Sequence, residues 1–297
     1  MKSQPSRLID RASVPKVDEI MIEECVAAFS TRSIEGSARL KYLKIAVGAM
    51  DLTTLEGNET SEKIAFLCRK AMQPLDSRYD VPACAAVCVY PSFVGTAKKF
   101  LANSSVKVAS VAGGFPGGTI PLKAKLAEVR GALRDGADEV DIVMNRSPFL
   151  AGDYARVFDE IATIKKVCGN TVLKVILETS ELETCDNIRF ASEIAMRAGA
   201  DFIKTSTGKV SPAATMPGTL VMLEAIRDYF RASGTRIGIK PAGGIRTAEQ
   251  ALAYLVMVKE TLGDDWLTPN LFRLGASTLL NDVVMQIIKT VDRLPKR

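Results

Sequence analysis

Hydrophobic and polar positions along this chain change period again and again. Short apolar runs rich in Val, Ile and Ala occur at 43–51 ("LKIAVGAMD"), 85–90 ("AAVCVY"), 106–112 ("VKVASVA") and 139–145 ("EVDIVMN"). Four more follow at 172–178 ("VLKVILE"), 201–206 ("DFIKTS"), 236–242 ("RIGIKPA") and 271–277 ("LFRLGAS"). Between them lie longer stretches of helical period, such as "LKAKLAEVRGALRDG", "DYARVFDEIATIKKVCG" and "TAEQALAYLVMVKETLG", several of them closed by Gly. Thr247 with Gln250 three residues on makes a capping box, and the apolar "ALAYLVMV" that follows is core. Eight strand-helix units in 297 residues predict an α/β fold, a (β/α)8 TIM barrel occupying residues 43–297. A doubly wound open sheet competes, but no GxGxxG follows the first strand. Ahead of the barrel, "VDEIMIEECVAAFS" spaces Ile20, Met21, Cys25, Ala28 and Phe29 as a helix would, so residues 1–42 are expected to form an N-terminal helical extension.

In such a barrel, chemistry gathers at the C-terminal ends of the strands. The first run ends in "MDLTTL", with Asp51 and Thr53, and the fourth carries Asp141 between Val140 and Ile142. The fifth holds Lys174, with Glu178 four residues on and expected on the same face; the sixth holds Lys204 and the seventh Lys240. A charged amine in an apolar run costs several kcal/mol unless it is paired or neutral. If Lys204 and Lys240 both point inward, burial and like charge would each lower an ammonium pKa, and a partly neutral lysine is a good nucleophile. Each lysine taken alone is better explained by snorkelling to the rim or pairing with a carboxylate. Together with Asp141, the group points toward catalysis.

Three glycine loops raise the question of a ligand. "STGK" follows the sixth run, "AGGIR" the seventh, and "GAST" ends the eighth. Glycine lets backbone amides approach an anion, hydroxyls add donors, and the last loops of these barrels are a frequent phosphate site. Thr207, Gly208, Lys209, Gly243, Gly244, Arg246, Gly275, Ser277 and Thr278 are therefore the candidate phosphate residues, with Asp51, Thr53 and Lys174 as further substrate contacts. By contrast "GGFPGGT" (113–119) is no P-loop, because no Lys follows its last Gly.

Composition narrows the chemistry further. The chain has no histidine, which rules out a Ser-His-Asp triad, a Cys-His dyad and histidine-rich zinc sites. Acid/base work near neutral pH falls to Asp, Glu, Lys, Tyr or Cys with shifted pKa values. The net charge of +5 is scattered rather than gathered into a stripe, so no nucleic-acid partner is expected. No apolar run reaches the ~18 residues that span a bilayer, so no membrane partner is expected either. The start "MKSQPSRLIDRASVPK" lacks an apolar h-region, and Asp10 argues against an organellar leader. Six cysteines without CxxC spacing read as reduced thiols of a cytoplasmic protein.

With those residues in hand, the sequence resembles the deoxyribose-phosphate aldolases, a class I aldolase family of the (β/α)8 type. The matching segments are "MDLTTL", "AAVCVYP", "VASVAGGFPGG", "GADEVDIVMNR", "LKVILETSEL", "DFIKTSTGK", "IKPAGGIR" and "FRLGASTLL", in the family's order over roughly residues 43 to 282. The resemblance implies that Lys204 forms the Schiff base and that Asp141 and Lys240 act as proton donor or acceptor. It implies reversible cleavage of 2-deoxy-D-ribose 5-phosphate to glyceraldehyde 3-phosphate and acetaldehyde in deoxyribonucleoside catabolism. No metal and no organic cofactor are expected, and the protein is expected to be a homodimer or higher homo-oligomer acting on a small phosphosugar. Some members carry a tail whose last residue, a tyrosine, assists proton transfer; this chain ends "VDRLPKR" with no Tyr after Tyr254. Two other readings stay open at this stage: a class I aldolase for a different sugar phosphate, and a barrel that binds a phosphosugar without chemistry.

Overall fold

The computed structural model describes residues 10–32 and 34–293; the first nine residues of the expected extension and the last four of the "VDRLPKR" end lie outside that range. Two helices come first, α1 (Glu19–Ser30) and α2 (Gly36–Gly48). Strands and helices then alternate: β1 (Met50–Thr53), α3 (Ser61–Met72), β2 (Ala86–Val89), α4 (Val94–Phe100), β3 (Lys107–Ala112), α5 (Leu122–Arg134) and β4 (Glu139–Val143). After α6 (Arg146–Leu150) and α7 (Tyr154–Cys168) come β5 (Val172–Ile176), α8 (Cys185–Arg197), β6 (Phe202–Lys204), α9 (Met216–Ser233), β7 (Gly238–Lys240), α10 (Ala248–Leu262), β8 (Leu274–Ala276) and α11 (Leu279–Arg293).

Each strand pairs in parallel with the next, from β1 through β7, and β1 also pairs with β8. Bridges Ile239↔Phe272 and Ala242↔Gly275 join β7 to β8 and close the ring. The fold is a (β/α)8 TIM barrel. Local chemistry starts its helices on one face: Thr60, Asp153, Thr184, Thr215 and Thr247 each accept a backbone amide of the first turn of α3, α7, α8, α9 and α10. Each such cap contributes about 1 kcal/mol. The capping box of Thr247 and Gln250 is formed on both sides.

Seven of the eight expected strands lie inside the apolar runs that predicted them. The first does not: 43–48 is the C-terminal half of α2, and β1 begins only at Met50. Leu43, Ala46 and Val47 are its buried residues, a helical spacing that a six-residue apolar run does not distinguish from a strand. The boundary expected between residues 42 and 43 thus falls within a helix, and α2 packs on α10 and α11 while α1 packs on α9 and α10.

Two apolar layers result. The larger lies between strands and helices. The smaller, Leu55, Ala86, Cys88, Ala109 and Val111, comes from alternate residues of β2 and β3 and the loop just after β1, and it fills one side of the barrel lumen. At the floor, Gly238 is required by its neighbour, since a Cβ there would lie 2.3 Å from a ring carbon of Phe202.

Candidate active site

The other side of the lumen is charged. Period two on parallel strands sends alternate residues inward, and register then sets their heights: Asp141 of β4 sits opposite Lys174 of β5, and Lys204 of β6 opposite Lys240 of β7. All four are buried, with Asp51 of β1 alongside. Asp141 is the hub. Its Oδ2 accepts from Lys204 Nζ at 3.0 Å and from Lys240 Nζ at 2.9 Å, and its Oδ1 accepts from Lys174 Nζ at 2.8 Å. Lys240 Nζ also lies 2.6 Å from Asp51 Oδ2. Beneath them, Lys174 Nζ is 2.6 Å from Glu139 Oε2 and 3.8 Å from Asp51 Oδ2. The Arg273 guanidinium closes the floor, 2.7 Å from Asp51 Oδ1 and 2.6 Å from Glu139 Oε1.

The three lysines are not equivalent. Lys204 has one carboxylate partner; burial and the neighbouring Lys240 charge press its pKa below the usual lysine value, with Asp141 only partly opposing them. For Lys240, burial acts downward, but Asp141 and Asp51 outweigh it and hold the ammonium well above its ordinary range. Lys174 is likewise raised, burial being overcome by Asp141 and Glu139. Burial works against ionised Asp141, yet the three lysines keep its carboxyl well below the ordinary value. The expectation that burial and like charge lower both Lys204 and Lys240 therefore holds for Lys204 alone, because Lys240 has a second carboxylate.

Above Lys204 opens a cavity of about 300 Å³ at the C-terminal end of the strands, lined by Lys204, Thr53, Gly208, Lys209, Gly243, Gly244, Arg246, Gly275 and Ser277. The loops beneath it are stitched together locally. Thr205 Oγ1 accepts from the amide of Ala242 at 3.0 Å, and Ser206 Oγ donates to the Ala242 carbonyl at 2.5 Å. Gly243 has φ +81°, and a Cβ on it would lie 2.6 Å from Ala213 Cβ and 2.9 Å from Gly208 Cα. Thr207 lies outside the cavity wall: its hydroxyl donates to Glu178 and accepts from the Lys209 amide. Thr278 is exposed beside the first turn of α11. Asp51 and Lys174 lie below the cavity, in the buried charge network.

Sequence reading missed three participants. Glu139 and Arg273 complete the network, and the signal was there: each stands two residues before a position already singled out, on the same strand face. Glu56 is the third, with its carboxylate 2.9 Å from Lys209 Nζ across the cavity mouth. Glu178 also differs from expectation. It adopts φ 55°, leaves the strand's alternation and turns to Thr207 instead of Lys174.

Residues 45–283 match the profile of the DeoC/LacD family aldolases. The chain belongs to that family. It is 50% identical over 268 residues to the deoxyribose-phosphate aldolase of Homo sapiens, a match covering 86% of this chain and 84% of the human one. Among solved structures it is similar to a protein from Toxoplasma gondii ME49 provisionally named a deoxyribose-phosphate aldolase, at 26% identity and TM-score 0.74, over 88% of this chain and 97% of that one. It is also similar to the tetrameric deoxyribose phosphate aldolase of Aeropyrum pernix, at 25% identity and TM-score 0.64, over 87% of this chain and all of that one. The aldolase is thus an enzyme, a lyase of the deoxyribose-phosphate aldolase type. No described helix of it is long and apolar enough to cross a membrane, and its six cysteines are free thiols.

Proposed function

We propose that the enzyme cleaves 2-deoxy-D-ribose 5-phosphate reversibly to D-glyceraldehyde 3-phosphate and acetaldehyde through a Schiff base on Lys204. One observation carries this: Lys204 is the only one of the three lumen lysines that lines the cavity, and the only one with a single carboxylate partner. Its amine adds to the C1 aldehyde, the carbinolamine loses water, and the resulting iminium draws electrons from the C2–C3 bond. That bond breaks as the C3 hydroxyl gives up its proton, leaving C3 as the aldehyde of the phosphorylated product. The enamine then takes a proton at C2 and is hydrolysed to acetaldehyde. Asp141 and Lys240, both in contact with the reacting amine or its partner carboxylate, are the proton carriers.

Several features support a phosphorylated substrate. Gly208, Lys209, Gly243, Gly244, Arg246 and Ser277 line the cavity, and Ser277 stands two residues before α11, whose N-terminal dipole favours an anion. In this reading Thr207 and Thr278 brace those loops, and Asp51 and Lys174 support the lysines from below. The apolar cluster of Leu55, Cys88, Val111, Tyr90 and Phe115, which meets the cavity through Leu55, suits the unsubstituted C1–C2 end. The substrate class is also the one named for the human relative. The tetrameric relative supports a homo-oligomer, and free thiols support a cytoplasmic enzyme of deoxyribonucleoside catabolism. Borohydride reduction with acetaldehyde, followed by peptide mass mapping, tests the reading: the adduct belongs on Lys204. An adduct confined to surface lysines, or none, refutes it. A panel of deoxyribose, ribose and hexose phosphates tests the sugar.

A further inference from the structure

At the end of the lumen away from the cavity, the aldolase buries a second set of charges that the chemistry above does not use. Arg273 immediately precedes β8, Glu139 is the first residue of β4, and both are buried. They grip each other through two nitrogen–oxygen contacts, 2.6 and 3.1 Å, and reach Asp51 and Lys174 above them. Neither lines the cavity that Lys204 faces.

The described groups facing Lys204 can be taken element by element. Asp51 comes from β1, the Cys88 thiol from β2, Glu139 and Asp141 from β4, Lys174 from β5, Lys240 from β7, and Arg273 from the segment before β8. At the mouth, Lys209 is already paired with Glu56 and Arg246 is exposed, while the buried Glu178 just past β5 is turned to the Thr207 amide and hydroxyl and touches none of the lumen lysines. Within the buried network, then, Lys174, Lys204, Lys240 and Arg273 face only Asp51, Glu139 and Asp141. With all seven of these groups ionised, the contact network holds one positive charge too many. The least costly way to remove it is to release one proton. Arg273 cannot release one; Lys174 and Lys240 each have at least two carboxylates, and Lys204 has one.

We propose that Arg273 and Glu139 are positioning residues that fix the charge count of the lumen and thereby set the fraction of Lys204 present as free amine. This rests on Lys204 being the Schiff-base residue. Arg273 supplies the surplus charge that expels the Lys204 proton; Glu139 limits that surplus to one. Their effects on Lys204 therefore have opposite sign, which distinguishes this role from simple support of the barrel floor.

The experiment measures the rate of Lys204 trapping by acetaldehyde and cyanoborohydride as a function of pH, quantified on the Lys204 peptide. It is run in the wild type, Arg273→Met, Glu139→Gln and the double variant. Arg273→Met shifts the midpoint upward by about one pH unit, the size a unit charge exerts at roughly 10 Å in an effective dielectric near 20. At neutral pH this slows trapping about tenfold, with recovery in alkaline buffer. Glu139→Gln shifts the midpoint downward by a similar amount, and the double variant returns close to wild type. Midpoints that stay put, or that move the same way in both single variants, overturn the inference. If Arg273→Met does not fold, Glu139→Gln decides: a downward shift supports the inference and an unmoved midpoint overturns it. Absence of any Lys204 adduct in the wild type is a different result, because it removes the Schiff-base reading itself.

Discussion

Replacing Lys240 by Met tests how the lumen makes an amine reactive. The ammonium groups of Lys204 and Lys240 both lie within 3.0 Å of Asp141 Oδ2. They are therefore no more than about 6 Å apart, and at an effective dielectric near 20 two unit charges at that separation repel by roughly 3 kcal/mol. Without that repulsion, the pH at which half of Lys204 is free amine rises by roughly two units, since one pH unit corresponds to about 1.4 kcal/mol. Imine formation at neutral pH then falls about 100-fold and is regained at high pH. Cleavage falls further, because the proton-carrier role proposed for Lys240 contributes about 10²–10⁴ and raising the pH does not restore it. The assay sets two profiles side by side: cyanoborohydride trapping of acetaldehyde on Lys204, and full turnover of the sugar phosphate. An unmoved trapping midpoint in Lys240→Met would show that Lys240 does not set the state of Lys204, and would refute the reasoning. The charge count adds a second expectation. Lys240→Met leaves three cations with three carboxylates, whereas Asp141→Asn leaves four cations with two. The asparagine variant is therefore the less stable in urea titration, even though its change is nearly isosteric.

Four further outcomes follow from the same geometry. Lys204→Arg keeps a charge beside Asp141 but cannot form an imine, so turnover is abolished while calorimetric binding of the sugar phosphate stays within about threefold of wild type. Gly243→Ala places a Cβ 2.6 Å from Ala213 at φ +81° and distorts the loop cradle; KM for the phosphorylated substrate rises by about tenfold, while acetaldehyde trapping on Lys204 is unchanged. Glu56→Gln releases Lys209 from its carboxylate, lowering KM by about threefold at low salt and less at high salt. Asp141 and Asp51 are both held below their ordinary range, burial notwithstanding, chiefly by the lysines and, for Asp51, also by Arg273. The unfolded chain thus binds their protons first as the pH falls. Their stabilisation is complete above the ordinary carboxylate range near pH 4 and is lost progressively below it, so urea midpoints decline there more steeply in wild type than in Asp141→Asn.

How much of this was legible beforehand follows from what each signal depends on. Seven strands were visible because a buried parallel strand is nearly all apolar whichever way its side chains alternate. Segment 43–48 was not, because its apolar spacing suits a helix as well as a strand and only packing on α10 and α11 decides. Lys204, Asp141 and Lys240 stood out as charges inside apolar runs. Glu139 and Arg273 were passed over although each stands two residues before a position already singled out: Glu139 opens its run, where a charge looks like an ordinary strand-end residue facing solvent, and Arg273 precedes β8 itself. Their burial is a property of the closed ring, in which eight strand ends converge on one floor. Glu178 shows the same limit on a smaller scale, since a single left-handed residue reverses the face that alternation assigns to it.

Under the proposed mechanism, ring closure also explains how a chain without histidine supplies a group half-ionised near neutrality. Histidine titrates there unaided, whereas a lysine must be moved down by several units, and burial alone is a poor instrument because carboxylates follow buried amines and restore their charge. Lys174 and Lys240 are that outcome, both raised by their carboxylates despite complete burial. In the charge count proposed above, what frees Lys204 is the mismatch in number: three carboxylates cannot hold four cations equally. The lysine at the cavity end is the one left with a single partner. Its reactivity is thus a property of the whole lumen, and it should respond to charges at the far end of the barrel as readily as to those it touches.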